Sequence, residues 1–271
     1  MVNSYPLQEI VSQVRRDIVR MVHANNSGHP GGSLGCTEFF VALFFSAMKH
    51  NNSFKMDGRN EDLFFLSNGH ISPVFYSVLA RSSYFDVSEL ATFRKIDSRL
   101  QGHPTTHEGL PGVRIASGSL GQGMSVAIGA AETKKLNGDD SIVYSLHGDG
   151  ELQEGQIWEA AMYAGSHKLD NLCLIIDVNQ LQVEGDTKDV LNMEPISEKW
   201  VAFGWAVRTV NGHDFEELED AFNWAIKQKD KPSVILAKTI VGKGVNFLEG
   251  QKSHNMIVPK EIANLSLKAL S

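Results

Sequence analysis

The chain has 271 residues, 42% of them apolar, enough to bury an ordinary globular core as one large domain or two small ones. Its formal charge of −7, from 25 basic and 32 acidic residues mixed along the length, argues against nucleic acid or an anionic membrane as the main partner. The most apolar segment, FFVALFFSAM, is about half a membrane span, and the N-terminal MVNSYPLQEIVSQVRRD lacks a basic flank leading into an apolar core, so a soluble cytoplasmic protein without a signal peptide is expected.

From Leu7 to His23, Ile10, Val14, Ile18, Met21 and Val22 recur at helical spacing with Arg15, Arg16, Asp17 and Arg20 between them. That pattern predicts an amphipathic helix ending at NNSGHPGGS. A second apolar helix is expected from Thr37 to Lys49. DLFFLS reads as a strand entering the loop NGH, and RIAS as a short strand before GSLGQG, after which a helix runs from Met124 to Leu136. SIVYSL reads as a strand into HGDG, followed by a helix from Gln153 to His167 and the buried strand NLCLIIDVN. WAVRTV comes next, then a helix opening at Asp214 with Glu217 three places on, a capping-box pattern, and finally SVILAKTIV and a looser tail after about Gly250.

Strand and helix in steady alternation give parallel βαβ units. The expected fold is α/β, one doubly wound, mostly parallel sheet with helices on both faces, forming a single domain over residues 1–271 without internal repeats. Cys36 and Cys173 lie far apart inside apolar segments. They read as buried small hydrophobes rather than a disulfide or metal pair, in keeping with a reducing cytoplasm.

In such a sheet the ligand lies beyond the carboxyl ends of the strands, where SNGH, ASGSLGQG, LHGDGELQEG and DVNQLQVEG converge. Gly-Asp-Gly alone is a common turn. Here it follows a buried strand, and Asn179 ends the next strand 30 positions after Asp149, a comfortable length for one strand-helix-strand crossover. If those strands are neighbours, Asp149, Asn179 and a nearby backbone carbonyl form a hard-oxygen set suited to Mg²⁺, which commonly shares a phosphate with the protein. Gly148 and Gly150 let the backbone approach that phosphate, the following helix offers free amides, and ASGSLGQG reads as a second cradle of the same kind. The loops therefore point to a magnesium diphosphate site.

His29, His70 and His103 each follow a glycine in the turn after an expected element, and that repetition favours function. His107, His167 and His213 lack such context and read as structural. Glu151 reads as a carboxylate favouring the helix N-terminal dipole.

The sequence words SGHPGGSLG at 27–35, SNGH at 67–70, GHP at 102–104, GSLGQG at 118–123 and GDGELQEG at 148–155, with Asn179 beyond, resemble the transketolase family in the same order. The resemblance runs from near the N-terminus to about His254 and is to the family's N-terminal, diphosphate-binding domain. It implies the thiamine diphosphate-binding fold. It further implies that Asp149, Asn179 and the carbonyl of Leu181 hold Mg²⁺, with Ca²⁺ or Mn²⁺ able to substitute. His70, Gly118, Ser119, Leu120, Gly148, Gly150, Asn179 and His254 should contact thiamine diphosphate. His29, His70, His103 and His254 should line the channel to the thiazolium carbon, with His29, His103, His254 and Glu154 as catalytic residues. Glu154 and Glu159 resemble the buried carboxylates that link the two active sites of the dimer.

The implied activity is transfer of a two-carbon ketol unit from a ketose phosphate to an aldose phosphate, the chemistry of the pentose phosphate reactions. Splitting a ketose beside its carbonyl needs a base for a hydroxyl proton and donors for a developing oxyanion, tasks that histidine suits near neutrality. The family's pyrimidine-binding and C-terminal domains have no counterpart here, and the glutamate that activates the aminopyrimidine belongs to the former. A C-terminal transketolase subunit is therefore expected as partner, in a heterotetramer with two copies of each chain. Alternatives of the same cofactor class are ketol transfer on a sulfo sugar or apulose phosphate, or a reaction like that of 1-deoxyxylulose-phosphate synthase; a non-catalytic cofactor-binding module is the alternative outside enzymes. The chain departs from the family pattern at Ser119, where many members have proline, at His147, where an apolar residue is usual, and at Asn255, where a glycine is expected.

Overall fold

The structure, a computed structural model, describes residues 6–251 and 253–270; residues 1–5 of the N-terminal stretch, and Lys252 and Ser271 of the tail, lie outside the described residues. Helix α1 spans Leu7–Asn25 and buries the apolar stripe read from the sequence. The segment read as its terminating loop instead contains a short helix, α2, Pro30–Gly35. Pro30 supplies a preset φ at the first helical position, and the Ser33 hydroxyl donates to the His29 carbonyl at 2.7 Å. The second apolar helix begins at Thr37 as expected, α3, Thr37–Ala42, and continues through a π-helical turn, Leu43–Ala47.

Strand β1, Leu63–Leu66, follows, then α4, Ser72–Arg81, α5, Gln122–Leu136, and β2, Val143–Gly148. RIAS is not a strand. Arg114 is anchored to Glu61 at 2.6 Å and to the carbonyls of Lys55 and Met56, which holds this short segment beside the sheet rather than in it. Helix α6, Gly155–Ser166, leads into β3, Leu172–Val178. Next come a small antiparallel hairpin, β4, Leu181–Gln182, with β5, Gly185–Asp186, and the helices α7, Thr187–Leu191, and α8, Ile196–Ala202.

The final units are β6, Ala206–Asn211, α9, Phe215–Ala225, and β7, Ser233–Lys238. Asp214 caps α9 by accepting the amides of Glu216 and Glu217, but Glu217 turns its carboxylate to the Asn211 amide, so only half of a capping box forms. The tail is more ordered than expected. It carries α10, Lys260–Ala269, which lies against α1 and buries Ala263 and Ser266.

The five long strands form one parallel sheet in the order β1-β2-β3-β7-β6. Successive side chains divide cleanly between two cores. Phe64, Leu66, Tyr144, Cys173, Ile175, Ile235 and Ala237 face α1, α3, α4 and α9, whereas Leu63, Phe65, Val143, Leu172, Leu174 and Leu236 face α5, α6 and α8. Burial on both faces explains why these strands read as continuous apolar runs rather than alternating ones. The chain enters β2 from α5 and β3 from α6 on one face, whereas α9, on the return from β6 to β7, lies with α4 on the other. Crossovers of constant hand require that exchange of faces on reversal. The expected doubly wound α/β fold is therefore present, and Cys36 and Cys173 are buried free thiols. No helix among the described residues is long and apolar enough to cross a membrane.

Candidate functional site

A cavity of about 460 Å³ opens beyond the carboxyl ends of β2 and β3, lined among others by Asn68, His70, Leu120, Gly148, Asp149, Asn179, Leu181 and His254. The strands are direct neighbours, with Gly148 opposite Asp177, so the two loops that follow them share one crevice. Asp149 is 3% exposed, and its two oxygens accept the amides of Gly150 at 2.8 Å and Gln180 at 2.6 Å. To reach it, the backbone after β3 turns sharply, with Gln180 in the left-handed region at φ 63°. Residues 179–181 thereby curl around the Asp149 carboxylate.

Asp177 sets the direction of Asn179. It accepts the Asn179 side-chain amide at 2.7 Å, while the Asn179 oxygen accepts the Leu181 amide at 2.9 Å. The nitrogen side is thus fixed on Asp177 and the oxygen side is left with a second lone pair. Asp177 also receives the Thr239 hydroxyl and the Cys36 thiol. Burial raises its carboxyl above the usual range, and burial followed by the charge of Asp177 pushes Asp149 up to about 7. Two buried carboxyls this close are the electrostatic setting that a bound divalent cation relieves.

Among the described residues no group of three His, Cys, Asp or Glu converges on a metal position. A cation held here would draw on one carboxylate together with amide and backbone oxygens, donor chemistry that fits Mg²⁺ and not Zn²⁺. Space for a phosphate fits as well. A Cβ built on Gly148 would meet only the Asn68 amide nitrogen, at 3.9 Å, so this glycine leaves open volume inside the cavity.

Four of the expected histidines cluster beside this floor, and two of them, His70 and His254, line the cavity. Ring centroids of His29 lie 5.2 Å from His70, 5.3 Å from His254 and 6.0 Å from His103, and His70 lies 4.8 Å from His254. They come from α2, the turn after β1, the GHP loop and the tail, segments up to 225 positions apart in sequence (29 to 254). The tail is held in place by the Gly31 amide donating to the Ser253 carbonyl at 3.0 Å. Burial, then the charges of neighbouring His254 and Arg94, holds His29 near 4; burial, then His254 and His29, holds His70 near 3. His103 and His254 are also lowered, first by burial. In all four the shift favours the neutral ring, which offers one donor and one acceptor nitrogen.

Of the other expected residues, Leu120 and Gly150 line the cavity, and Gly118 supports it from behind, at φ 125° with the His103 ring packed where a Cβ would stand. Glu154 lies at the cavity mouth, and both it and Glu159 are exposed on this chain. The burial that the resemblance implies for them is not found among the described residues. Outside the cluster, His107 is exposed, His167 stacks on Tyr163, and His213 bridges Glu38 and the Ile240 amide, all structural placements.

Two readings of the sequence are refined. Glu151 does stand at a helix N-terminus, but that of α5 rather than of the helix that follows it; it is 2% exposed and bonded to Gly121, Gly148 and Ser67. GSLGQG is consequently not a second open cradle at Gly121, because that amide already holds a carboxylate. Sequence reasoning misses Asp177 and Asn68. A charged residue near the end of the apolar run NLCLIIDVN is the available signal for Asp177. Asn68, 2% exposed with its side-chain oxygen unpartnered beside the cavity, gives none beyond its place in SNGH.

Comparison with known proteins identifies the family to which the fold and the sequence motifs point. Residues 7–267 match the family described as transketolase, thiamine diphosphate binding domain. The chain is 38% identical over 260 residues to a 6-deoxy-6-sulfo-D-fructose transketolase subunit of Clostridium sp. (strain MSTE9), covering 94% of this chain and 93% of that one. It is likewise 38% identical over 256 residues to an apulose-4-phosphate transketolase subunit of Actinobacillus succinogenes, covering 94% and 91%. Its backbone superimposes on the crystal structure of transketolase from Campylobacter jejuni with a TM-score of 0.89 at 38% identity, covering 97% of this chain but only 42% of that one.

Proposed function

The chain belongs to the transketolase family, as its thiamine diphosphate-binding domain, and from that premise we propose that it is the cofactor-holding subunit of a split transketolase. The observation that carries the reading is the convergence of four histidines, two of which, His70 and His254, line one cavity with Asp149, Asn179 and Leu181. The subunit works in the cytoplasm, folded into a single domain over 1–271. Its partner is a C-terminal, pyrimidine-binding subunit, in a heterotetramer of two copies each.

In this reading Asp149, the Asn179 side-chain oxygen and the Leu181 carbonyl hold Mg²⁺, which Ca²⁺ or Mn²⁺ can replace. His70, His254, Gly118, Ser119, Leu120, Gly148 and Gly150 hold thiamine diphosphate. When bound, that cofactor supplies the nucleophilic carbon and the electron sink for two-carbon ketol transfer between sugar phosphates. His29, His103 and His254, neutral at working pH, accept a proton from the ketose hydroxyl and donate to the oxygen on which charge develops. Glu154, exposed here, becomes buried against the second half of the assembly.

The two subunit-length relatives bear names that specify a sulfo sugar and apulose 4-phosphate. The donor panel therefore includes both beside ordinary ketose phosphates. The chain, tagged in its native cell and purified with Mg²⁺ and thiamine diphosphate, should bring down a stoichiometric companion, and the pair should transfer ketol units. A lone chain inactive with every candidate companion would replace this reading with a non-catalytic cofactor-binding module. Within the active pair, His103→Ala should slow transfer about 100-fold or more while leaving the cofactor bound; full activity would remove His103 from the mechanism.

A further inference from the structure

Glu151 lies two residues beyond Asp149, and its carboxylate ties together three segments that wall the cavity. Oε1 accepts the Gly121 amide at 2.8 Å and the Ser67 hydroxyl, and Oε2 accepts the Gly148 amide at 3.1 Å. The Ser67 oxygen in turn accepts the Gly123 amide at 3.1 Å. Ser67 begins the turn that carries Asn68 and His70; Gly121 and Gly123 open α5, directly after residues 118–120; Gly148 ends β2 and precedes Asp149. Beneath the carboxylate, His147 Nδ1 lies 3.3 Å from Oε1. Its Nε2 is 2.9 Å from the Ser145 hydroxyl, which donates to the Phe65 carbonyl of β1. His147, one of the positions at which the chain departs from the family pattern, thus stands under Glu151 and away from the cavity.

Burying a carboxylate is costly unless several donors converge on it, and a helix N-terminus both supplies such donors and favours negative charge. Glu151 has both. At the start of α5 the Gly121 amide is thus satisfied by Glu151 and the Gly123 amide by Ser67, both within the protein itself.

We infer that Glu151 is a positioning residue, an internal anion that fills the N-terminus of α5 and locks the turn after β1, the start of α5 and the end of β2 into one cradle for the diphosphate end of the cofactor. The inference rests on the cofactor reading given above. It assigns the two glycine-rich loops different work: the loop after β2 faces the ligand, and the start of α5 faces Glu151.

The test uses the full chain and two variants. Glu151→Gln keeps the shape and one acceptor oxygen but turns an NH₂ against the Gly148 or Gly121 amide; Glu151→Ala empties the position. Three measurements are made: thermal melting, amide hydrogen exchange at residues 118–123 and 148–150, and calorimetric titration with Mg²⁺ and thiamine diphosphate. Glu151→Gln should melt close to the unsubstituted chain yet bind cofactor about tenfold more weakly, the usual effect of removing an orienting partner. Exchange at Gly121 and Gly148 should quicken in both variants, and sodium formate should restore protection and affinity to Glu151→Ala. Undiminished affinity in Glu151→Gln with unchanged exchange would overturn the inference, as would a Glu151→Ala chain that folds but ignores formate. If the unsubstituted chain itself does not take up Mg²⁺ and thiamine diphosphate, the cofactor reading fails for the isolated chain. The exchange and formate results then decide the role of Glu151 without it.

Discussion

The loop after β2 and the loop that opens α5 look alike in sequence, GDGELQEG and GSLGQG, yet they meet opposite surroundings. In the first, Gly148 leaves open space, Gly150 donates to Asp149, and the carboxylate of Asp149 borders the cavity. In the second, a Cβ on Gly123 would press against Ser67, and the Gly121 amide is held by Glu151. Glycine in such a loop reports close approach to the backbone. Whether a ligand or the protein's own side chain makes that approach is decided elsewhere in the fold.

Substitutions can break or sharpen this contrast. The largest effect is expected from Asp149→Ala in the assembled enzyme, which should weaken cofactor binding roughly 100-fold, about 3 kcal/mol, measured by calorimetry with Mg²⁺ held constant. An unchanged affinity would move the ligand away from the first loop. Gly123→Ala should act on folding instead. Its Cβ would come within 2.8 Å of the Ser67 Cα, backbone that cannot swing aside, so a loss of about 2 kcal/mol in denaturant unfolding is expected.

A third effect, smaller at neutral pH, separates the histidine cluster from both loops. His29 and His70 titrate near 4 and near 3 when folded, chiefly because they are buried, but near 6.5 when unfolded. Between those values the unfolded chain binds protons that the folded chain refuses. Their contribution therefore destabilises the fold progressively as pH falls from 6.5 towards 4, and is flat above 7. Melting temperature followed from pH 7.5 downward should show that slope, and His70→Gln should reduce it. Gly148→Ala should be the quietest for folding, within about 0.5 kcal/mol of the unsubstituted chain, because φ there is not in the left-handed region and its Cβ meets open space. The same methyl group stands in the cavity, so cofactor affinity should still fall; equal losses in stability from Gly148→Ala and Gly123→Ala would abolish the contrast.

Most strands were legible because burial on both faces leaves an unmistakable apolar run, as in Leu172–Val178. RIAS misled because two apolar residues say nothing about a neighbouring Arg114–Glu61 pair that holds the segment off the sheet. The helix Pro30–Gly35 was hidden by its three glycines, which favour a loop locally but here admit the Ser253 carbonyl and the backbone after β7. Asp149 and Asn179 could be placed at the ends of successive strands from spacing and burial alone, and the β2–β3 pairing made those strands neighbours. Asp177 could not be given its task, since orienting the Asn179 amide depends on side-chain direction at the end of β3.

The sequence by itself determined the parallel α/β order and which loops reach the carboxyl edge of the sheet, and its motifs resembled a thiamine diphosphate-binding domain. Those properties are local or periodic: apolar runs, crossover lengths, and glycines beside polar groups. Only the tertiary structure decided that Glu151 and not a ligand holds the Gly121 amide at the start of α5, and how closely four histidines from distant segments pack. It also showed that Glu154 and Glu159 remain uncovered on this chain. Each depends on which surfaces face one another after folding, and contact energies between residues far apart in the chain leave no mark in the spacing of either.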